Sequence, residues 1–312
     1  MSAPTTEPTR APARLPGSRT NSGRTDSGRF ETALGWTPRL GPALVLRVVL
    51  CALVLFVFAA PFITILSGAF DADARSTSLS LFPGDATLQN FKAAESRNIW
   101  GYFANSLVIA GGGLLVQMVT SVLAAYALAR RRFRGQALVM SLFLLTMMLP
   151  EEVIAVPLSL VVGDLPVLHV SLRGTLFGVI LPVGIWGFSI LVMTEFMKEI
   201  PTEIEEAARL DGVGEFRLLW QIVLPLCRPA LGVIGIFGFL MVWDQYLLPL
   251  IVANDPGDYT LTVALSVMRT DPVVGPGALL AGALIALVPS LVVYFCLQSS
   301  MIRGIAAGAT KG

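Results

Sequence analysis

The chain has 312 residues, of which 54% are hydrophobic and only 14% are charged. Its mean hydropathy of +0.73 is far above that of an ordinary globular protein, so we expect lipid to be part of its solvent. The formal net charge of +1 leaves no basic excess that would favour nucleic acid as a partner.

Residues 1–41 are rich in Pro, Thr, Ser, Gly and Arg and show almost no apolar periodicity. Such a segment cannot bury enough apolar surface to fold by itself, so we predict a disordered cytoplasmic tail. The first apolar run follows it without a convincing cleavage site and is expected to remain as a membrane anchor from Leu44 onward. Residues 42–312 are assigned to one transmembrane domain.

Counting this first run, six stretches are long and apolar enough to cross the hydrocarbon core as helices, which takes about 20 residues each. Their approximate limits are Ala43–Ala69, Phe103–Ala129, Ala137–Val162, Thr175–Phe196, Pro229–Ala253 and Gly277–Ser300. Pro150 and Pro157 are expected to kink the third stretch. The predicted fold is therefore an all-α membrane protein with six transmembrane helices.

Glycine recurs inside two of these stretches. The second contains Gly111, Gly112 and Gly113, and the fifth contains Gly232, Gly235 and Gly238. Helices in lipid associate without a hydrophobic driving force, and small residues let their backbones approach closely. Helix packing is therefore favoured over phosphate binding as the role of these glycines.

Charge alternates along the connections between the stretches. Lys and Arg are concentrated before the first stretch, between the second and third, between the fourth and fifth, and after the sixth, whereas the other connections carry mainly Asp and Glu. By the positive-inside rule, both termini and the basic connections lie in the cytoplasm. The same rule explains the arginine cluster at Arg130, Arg131, Arg132 and Arg134, with contacts to anionic lipid headgroups as an addition.

Groups that could support catalysis or bind metal are scarce. Cys51, Cys227 and Cys296 lie in or beside apolar runs without metal-ligand spacing and are interpreted as packing residues. His169 is the single histidine, which excludes His-His metal motifs and leaves little room for a Ser-His-Asp system. No GxxxxGK[ST] phosphate loop occurs, so ATP must be hydrolysed by another chain. No catalytic residue, metal site or cofactor is predicted.

The basic connection from about Met197 to Arg228 is too long for a simple turn, and its sequence predicts two short helices. Thr202 and Glu205 form a capping-box pattern, and Gly212 is placed to end the first helix after Asp211. One face of this helix carries Ile204, Ala207, Ala208 and Asp211. The second helix is predicted to run from Glu215 until Pro225 stops it, with an anchoring face of Phe216, Leu219, Trp220 and Val223.

This connection resembles the cytoplasmic signature of ATP-binding-cassette (ABC) importer permeases. The matching residues are Glu206-Ala207-Ala208, Gly212, Ile222 and Leu224-Pro225. In that family the segment is a coupling helix that inserts into a groove of the ATPase subunit. The resemblance therefore implies an ATPase-docking site made of Glu206, Ala207, Ala208, Asp211 and Gly212. The residues alone also allow an amphipathic hairpin that lies on the bilayer surface.

Further matches, from about Leu44 to Gly312, resemble the maltose-type carbohydrate branch. They are Asn105-Ser106-Leu107, Tyr126-Ala127-Leu128-Ala129-Arg130 with Phe133-Arg134-Gly135, and the C-terminal run from Arg303 to Gly312. The resemblance implies a bacterial inner-membrane subunit that works with a second permease subunit, two ATPase subunits and an extracytoplasmic solute-binding protein.

Two segments depart from the pattern of that branch. They are Pro150-Glu151-Glu152-Val153 and the outer loop from Gly163 to Arg173. These departures leave the solute open between a sugar and another polar solute, such as a glycerol phosphate ester, a polyamine or a peptide.

Two polar clusters are candidates for the solute path, because charged groups at membrane depth are costly and need a cavity or a partner. Trp243, Asp244, Gln245 and Tyr246 combine aromatic rings with hydrogen-bonding groups, which suits sugar recognition. An interfacial aromatic belt with a helix-helix hydrogen bond is the alternative. Glu151 and Glu152 follow Pro150, where a broken backbone can line a water-filled path. Their alternative is pairing with a neighbouring subunit or a position near the outer interface.

Two other classes of membrane protein compete with the importer interpretation. A secondary transporter or channel would share the hydropathy and topology, but the sequence shows no convincing inverted repeat or ion relay. A membrane-embedded enzyme would need convergent catalytic groups, which one histidine and scattered carboxylates do not supply. Association with an ATPase would separate the importer from both rivals.

Overall fold

The computed structural model describes residues 42–74 and 82–309, with side chains described up to residue 298. The predicted tail, residues 1–41, lies outside the described residues, as does the very end of the family-like C-terminal run. The helices are α1 (Pro42–Ala69), α2 (Gln89–Glu95), α3 (Ile99–Arg130), α4 (Gln136–Met148), α5 (Glu151–Gly163), α6 (Phe177–Val183), α7 (Gly187–Glu199), α8 (Thr202–Leu210), α9 (Glu215–Arg217), α10 (Leu224–Leu226), α11 (Arg228–Trp243), α12 (Leu247–Val252), α13 (Leu261–Thr270) and α14 (Pro276–Ala309). A π-helical segment, Leu218–Val223, joins α9 to α10, and a 3₁₀ turn covers Pro256–Asp258.

Three of these helices are long and apolar enough to cross a membrane unbroken: α1, α3 and the Pro276–Gln298 part of α14. Three further candidates are bent pairs, namely α4 with α5 at 110°, α6 with α7 at 41°, and Glu215–Leu226 with α11 at 77°. Counting each pair as one crossing gives up to six crossings within the described residues, which is the predicted number. Apart from one isolated bridge between Asp71 and Ala86, these residues form helices and loops, so the all-α prediction is confirmed.

The chain divides into two units between Leu55 and Phe56. The described part of the first unit is the beginning of α1, whose side chains are almost all exposed and apolar. Such a surface is suited to lipid or to another apolar protein surface. The second unit contains the remaining helices and both candidate sites.

Proline and backbone breaks divide three of the predicted stretches. Pro150 interrupts the third as expected: Leu149 and Pro150 have extended backbone, and α5 begins at Glu151. Pro157 lies inside α5 without interrupting it. The predicted fifth stretch differs more, because α11 already ends at Trp243 and α12 begins only at Leu247.

The long helix α3 packs against α6, α7 and α11 and supports the bend between α6 and α7. Gln117 donates through Nε2 to the Val183 carbonyl at 2.8 Å, and the Thr120 hydroxyl donates to the Gly184 carbonyl at 2.9 Å. A helix end leaves carbonyl groups without intrahelical partners, which is costly away from water. Two polar side chains of α3 therefore donate hydrogen bonds to carbonyl groups at this bend. The bend itself was not predicted from the sequence.

Close helix packing explains some of the predicted glycine positions. A Cβ atom at Gly113 would lie 2.9 Å from Val183 Cγ2 and 3.2 Å from Val242 Cγ1, and one at Gly238 would collide with Gln117. A Cβ atom at Gly111 would meet nothing within 4 Å. The backbone of α3 therefore needs glycine at position 113 but not at position 111.

We expect Gly113→Val to reduce the stability of the purified protein by about 1–3 kcal/mol relative to Gly111→Val, because overpacking a close helix contact forces side chains and backbone to shift. The two variants add the same side chain to the same helix, so helix propensity cancels between them. Thermal unfolding in detergent or lipid nanodiscs measures the difference. Equal melting temperatures would contradict the assigned packing.

Asn105 and Ser106, which belong to one of the family-like motifs, form hydrogen bonds with the segment that precedes α13. Asn105 donates through Nδ2 to the Gly257 carbonyl at 2.9 Å and the Tyr259 carbonyl at 3.1 Å. The Ser106 hydroxyl oxygen accepts from the Leu261 backbone N–H at 2.8 Å. These bonds hold the loop between α12 and α13 against the start of α3.

Candidate functional site

The predicted docking helix is present as α8, and its C-terminal end has the geometry of a Schellman motif. Gly212 has a φ of +81°. Its N–H donates to the Arg209 carbonyl, and the Val213 N–H donates to the Ala208 carbonyl, both at 3.0 Å. Glycine adopts this left-handed conformation without the steric penalty of a Cβ atom. The prediction that Gly212 ends the helix is confirmed.

The predicted capping box at the start of α8 is wrong. Pro201 occupies the N-cap position, Thr202 is already the first helical residue, and the helix has no side-chain cap. Glu205 is 2% exposed and pairs with arginines instead of returning to the backbone. Glu205 pairs with Arg130 of α3 and therefore does not form the predicted capping hydrogen bond to the backbone at the start of α8.

The second predicted helix continues further than expected. Pro225 lies within α10, directly after the π-helical segment, and does not stop the helix. The break comes instead at Cys227, before α11. The anchoring face also differs: Leu218, Leu219 and Val223 are buried, whereas Phe216 and Trp220 are exposed and contact each other with ring centroids 6.0 Å apart. The wider π-helical turn changes which side chains face inward.

The structure separates the five predicted docking residues into two groups. Glu206, Ala207, Asp211 and Gly212 are exposed, together with Leu210, whose exposed fraction is 89%. Ala208 is buried in an apolar cluster that includes Met193, Met197 and Leu218. Ala208 therefore anchors α8, while the other four form a surface open to a partner. Leu210 was not among the predicted docking residues, although it directly precedes Asp211 and Gly212 at the end of the helix.

A cluster of ionic and hydrogen-bonding side chains joins this loop to the C-terminal end of α3. We call it the loop-anchoring cluster, and its members are Tyr126, Arg130, Arg131, Glu205, Arg209 and Glu215. Glu205 is at its centre: Oε1 lies 2.5 Å from Arg130 Nε and Oε2 lies 3.3 Å from Arg209. The Arg130 contact is a close charge pair rather than an aligned hydrogen bond. Both side chains of this pair are buried, with 6% and 3% exposed.

The second acid of the loop-anchoring cluster is Glu215, at the start of α9. It accepts a hydrogen bond from the Tyr126 hydroxyl at 2.7 Å and another from Arg209 Nε at 3.1 Å, and it lies 3.0 Å from Arg131. The hydrogen bond to Glu215 raises the pKa of Arg209, which keeps its guanidinium charged. The sequence indicated only membrane anchoring for the arginines, because their partners lie far away in the chain.

A second candidate site is an open cavity of about 320 Å³ at the breaks in the helices. Its walls come from α4, α5, α6, α11 and α12 and from the bend between α6 and α7. Mostly apolar side chains line it, and Glu151, Gln245 and Thr146 supply the polar groups. Trp186, at the bend between α6 and α7, adds an aromatic ring that was not among the predicted site residues. A concave, mainly apolar surface with a few polar groups is typical of small-molecule sites.

The four residues from Trp243 to Tyr246 occupy the break between α11 and α12 and face different surroundings. Trp243 is buried, stacks on Phe239 and donates through Nε1 to the Ala286 carbonyl at 3.1 Å, so it does not line the cavity. Gln245 does line it, and its Oε1 is buried without a hydrogen-bond partner among the described residues. Tyr246 lines a separate open pocket beside α13.

The remaining candidates are carboxylates. Glu151 lines the cavity at the first position of α5, where the helix dipole favours a negative charge, and Glu152 is exposed beside it. Asp244 is exposed at the break between α11 and α12, and in the part of the chain that the structure describes no side chain pairs with its carboxylate. The same described residues contain no cluster of three or more His, Cys, Asp or Glu that could hold a metal ion.

The chain matches the family described as the binding-protein-dependent transport system inner membrane component, over residues 117–299. This match covers the loop with α8, both candidate sites and more than half of the sequence. The chain belongs to this family. It is therefore an inner-membrane transport subunit, and its predicted class and location are confirmed.

Curated relatives agree with this assignment. The diacetylchitobiose uptake system permease protein DasC of Streptomyces coelicolor is 32% identical over 74% of this chain and 83% of its own length. The maltodextrin transport system permease protein MdxG of Bacillus subtilis is also 32% identical, with the same coverage. A chain of a bacterial ABC transporter involved in the import of the acidic polysaccharide alginate superposes with a TM-score of 0.72, at 22% identity, over 84% of this permease and 99% of that chain. This last likeness shows that the fold is shared.

Proposed function

We propose that this permease forms half of the path through which an ABC importer takes up a carbohydrate. The support comes from relatives at about 30% identity, whose names specify diacetylchitobiose, maltodextrin and melibiose, raffinose or stachyose. The observation that carries the proposal is the exposed helix α8, ended by Gly212 and held against a bundle that contains a mainly apolar cavity with a few polar groups. An importer needs both a surface for its ATPase and a solute path.

The proposed orientation places both termini and α8 in the cytoplasm. Arg130, Arg131, Arg132 and Arg134 lie at or just after the C-terminal end of α3. Arg130 and Arg131 contact the loop with α8 through Glu205 and Glu215, so this end of α3 lies on the same side as the loop. Asp255, Asp258 and Asp271 flank α13, in a predicted outer connection. This distribution supports the positive-inside assignment.

The proposed ATPase-docking surface consists of Glu206, Ala207, Leu210, Asp211 and Gly212. Leu210 supplies an apolar side chain that is almost fully exposed, and Ala207 and Gly212 leave room for a close approach. Glu206 and Asp211 can pair with basic groups at the rim. The partners in this proposal are two ATPase subunits, a second permease subunit and an extracytoplasmic solute-binding protein.

The proposed solute path follows the cavity at the helix breaks. Gln245 and Glu151 can exchange hydrogen bonds with solute hydroxyl groups, and Trp186 offers a face on which a sugar ring can stack. Asp244, Tyr246 and Glu152 are exposed around these breaks and extend the proposed path beyond the cavity. An unpaired carboxylate such as Asp244 needs water or a partner at membrane depth. Trp243 belongs to the packed core and is not part of the proposed path.

The proposal is tested by purifying the assembly through a tag on this chain from its native membrane. We expect an ABC ATPase and a second permease to co-purify. The solute-binding protein that stimulates ATP hydrolysis by the purified complex is then screened by thermal shift with sugars, glycerol phosphate esters, polyamines and peptides. Stabilisation by a sugar supports the carbohydrate assignment, whereas stabilisation only by another class would replace it. Absence of an ATPase would favour a secondary transporter and contradict the importer.

A further inference from the structure

Helix α8 has unusually little apolar attachment to the bundle. Of its nine residues only Glu205 and Ala208 are buried, and the methyl group of Ala208 offers a small contact area. The loop-anchoring cluster therefore provides much of the connection between the proposed docking helix and the membrane helices.

The loop-anchoring cluster contacts the loop that contains α8 and α9 at three points. Arg130 holds the beginning of α8, because its Nη2 donates to the Ile200 carbonyl at 3.0 Å while its Nε faces Glu205. Arg209 bridges Glu205 and Glu215, and so connects α8 to α9. Glu215 in turn binds the Tyr126 hydroxyl. Tyr126 and Arg130 lie four residues apart on α3, and thus on adjacent turns of one helix face.

The same helix reaches the proposed solute cavity. Ahead of Arg130 on α3 lie Thr120, about 15 Å away along the helix, and Gln117, about 20 Å away. These side chains bind the Val183 and Gly184 carbonyls at the bend between α6 and α7. Val183, Ile185 and Trp186 at this bend line the cavity. One rigid helix thus has polar contacts with the docking loop at one end and with the cavity wall further along.

We propose that the loop-anchoring cluster is the joint through which displacement of α8 reaches α3 and then the cavity wall. The inference rests on the proposed function. Glu205 and its arginines act as positioning residues: they touch neither ATP nor solute, and their charge pairing makes α8 and α3 move together. The buried pair of Glu205 and Arg130 resists separation, because either side chain left alone would be an unpaired buried charge.

The test measures the cavity wall directly, in the tagged complex reconstituted in lipid nanodiscs. Ile185, 63% exposed at the α6–α7 bend, is replaced by cysteine in a chain whose exposed Cys51 and Cys296 are changed to serine. The rate of labelling by a polar thiol reagent is recorded without nucleotide and after trapping with ATP and vanadate. With wild-type Glu205, we expect trapping to change the rate at least threefold.

Glu205→Gln should retain the ATPase subunit and its ATP hydrolysis while the labelling rate no longer responds to trapping. Glu205→Asp, which keeps the charge, should restore part of the response. Glu203→Gln, an exposed change on the same helix, is the matched control and should respond like wild type. A wild-type response in Glu205→Gln would overturn the proposal, as would the absence of a response in the wild-type chain.

If the Glu205→Gln variant does not assemble with the ATPase subunit, the Tyr126→Phe variant is used to test the proposal. This substitution removes only the hydroxyl group that binds Glu215. We expect Tyr126→Phe to assemble normally and to reduce the response at least twofold, and an unchanged response would overturn the proposal. Failure of the proposed function has a different result: no ATPase would co-purify with the wild-type chain.

Discussion

Gly212→Pro is expected to reduce uptake by more than tenfold while the chain still inserts into the membrane. Proline fixes φ near −65°, whereas Gly212 has a φ of +81°. The substitution also removes the N–H that donates to the Arg209 carbonyl. The end of α8 and its exposed Leu210 would therefore be displaced from the geometry that we propose docks on the ATPase. Uptake of the sugar that stabilises the binding protein measures the effect.

Gly214→Pro is the matched control for this variant. Gly214 has a φ of −71°, which is the angle that proline imposes, and a Cβ atom there would meet nothing within 4 Å. We expect it to retain most of the uptake. Wild-type uptake in Gly212→Pro, or an equal loss in both variants, would contradict a specific role for the turn at Gly212.

Gln245→Leu is expected to lower uptake about tenfold without lowering the melting temperature. Tenfold corresponds to about 1.4 kcal/mol, within the range for one hydrogen bond to a neutral hydroxyl group. Gln245 Oε1 is buried and unpartnered among the described residues, and Nε2 makes only a weak hydrogen bond to Met241 Sδ at 3.8 Å, so the substitution removes little intramolecular stabilisation. Initial uptake rates and thermal unfolding of the same preparation measure the two effects.

Trp243→Phe should give the opposite pattern. The substitution removes the donor to the Ala286 carbonyl inside the core, so the melting temperature should fall while the preference among sugars stays unchanged. Normal uptake in Gln245→Leu would remove this residue from the proposed path. A changed sugar preference in Trp243→Phe would show that the path reaches deeper into the core than we propose.

The features that sequence predicted are those that depend on neighbours along the chain. Apolar length is local, so six crossings could be counted. Pro150 lacks a backbone N–H, so its break could be expected. Gly212 could be assigned to a helix end because only glycine adopts the left-handed backbone readily.

The features that sequence missed depend on contacts between distant segments. The bend between α6 and α7 is stabilised by Gln117 and Thr120 of α3, and neither side chain signals this role locally. Glu205 fits a capping-box pattern, but Arg130 offers a stronger partner once the two helices are adjacent. Trp243 and Gln245 are two residues apart, yet the end of α11 directs one into the core and the other to the cavity. Burial at such a break depends on the neighbouring helices.

The most direct test of the central claim is sugar uptake into proteoliposomes that contain the purified complex with an ATP-regenerating system enclosed. Uptake of the radiolabelled sugar that stabilises the binding protein is measured with and without ATP, with and without binding protein, and with an imposed proton or sodium gradient. We predict uptake only when ATP and the binding protein are both present, with no response to either gradient. Uptake driven by an ion gradient in the absence of ATP would contradict the account and identify a secondary transporter.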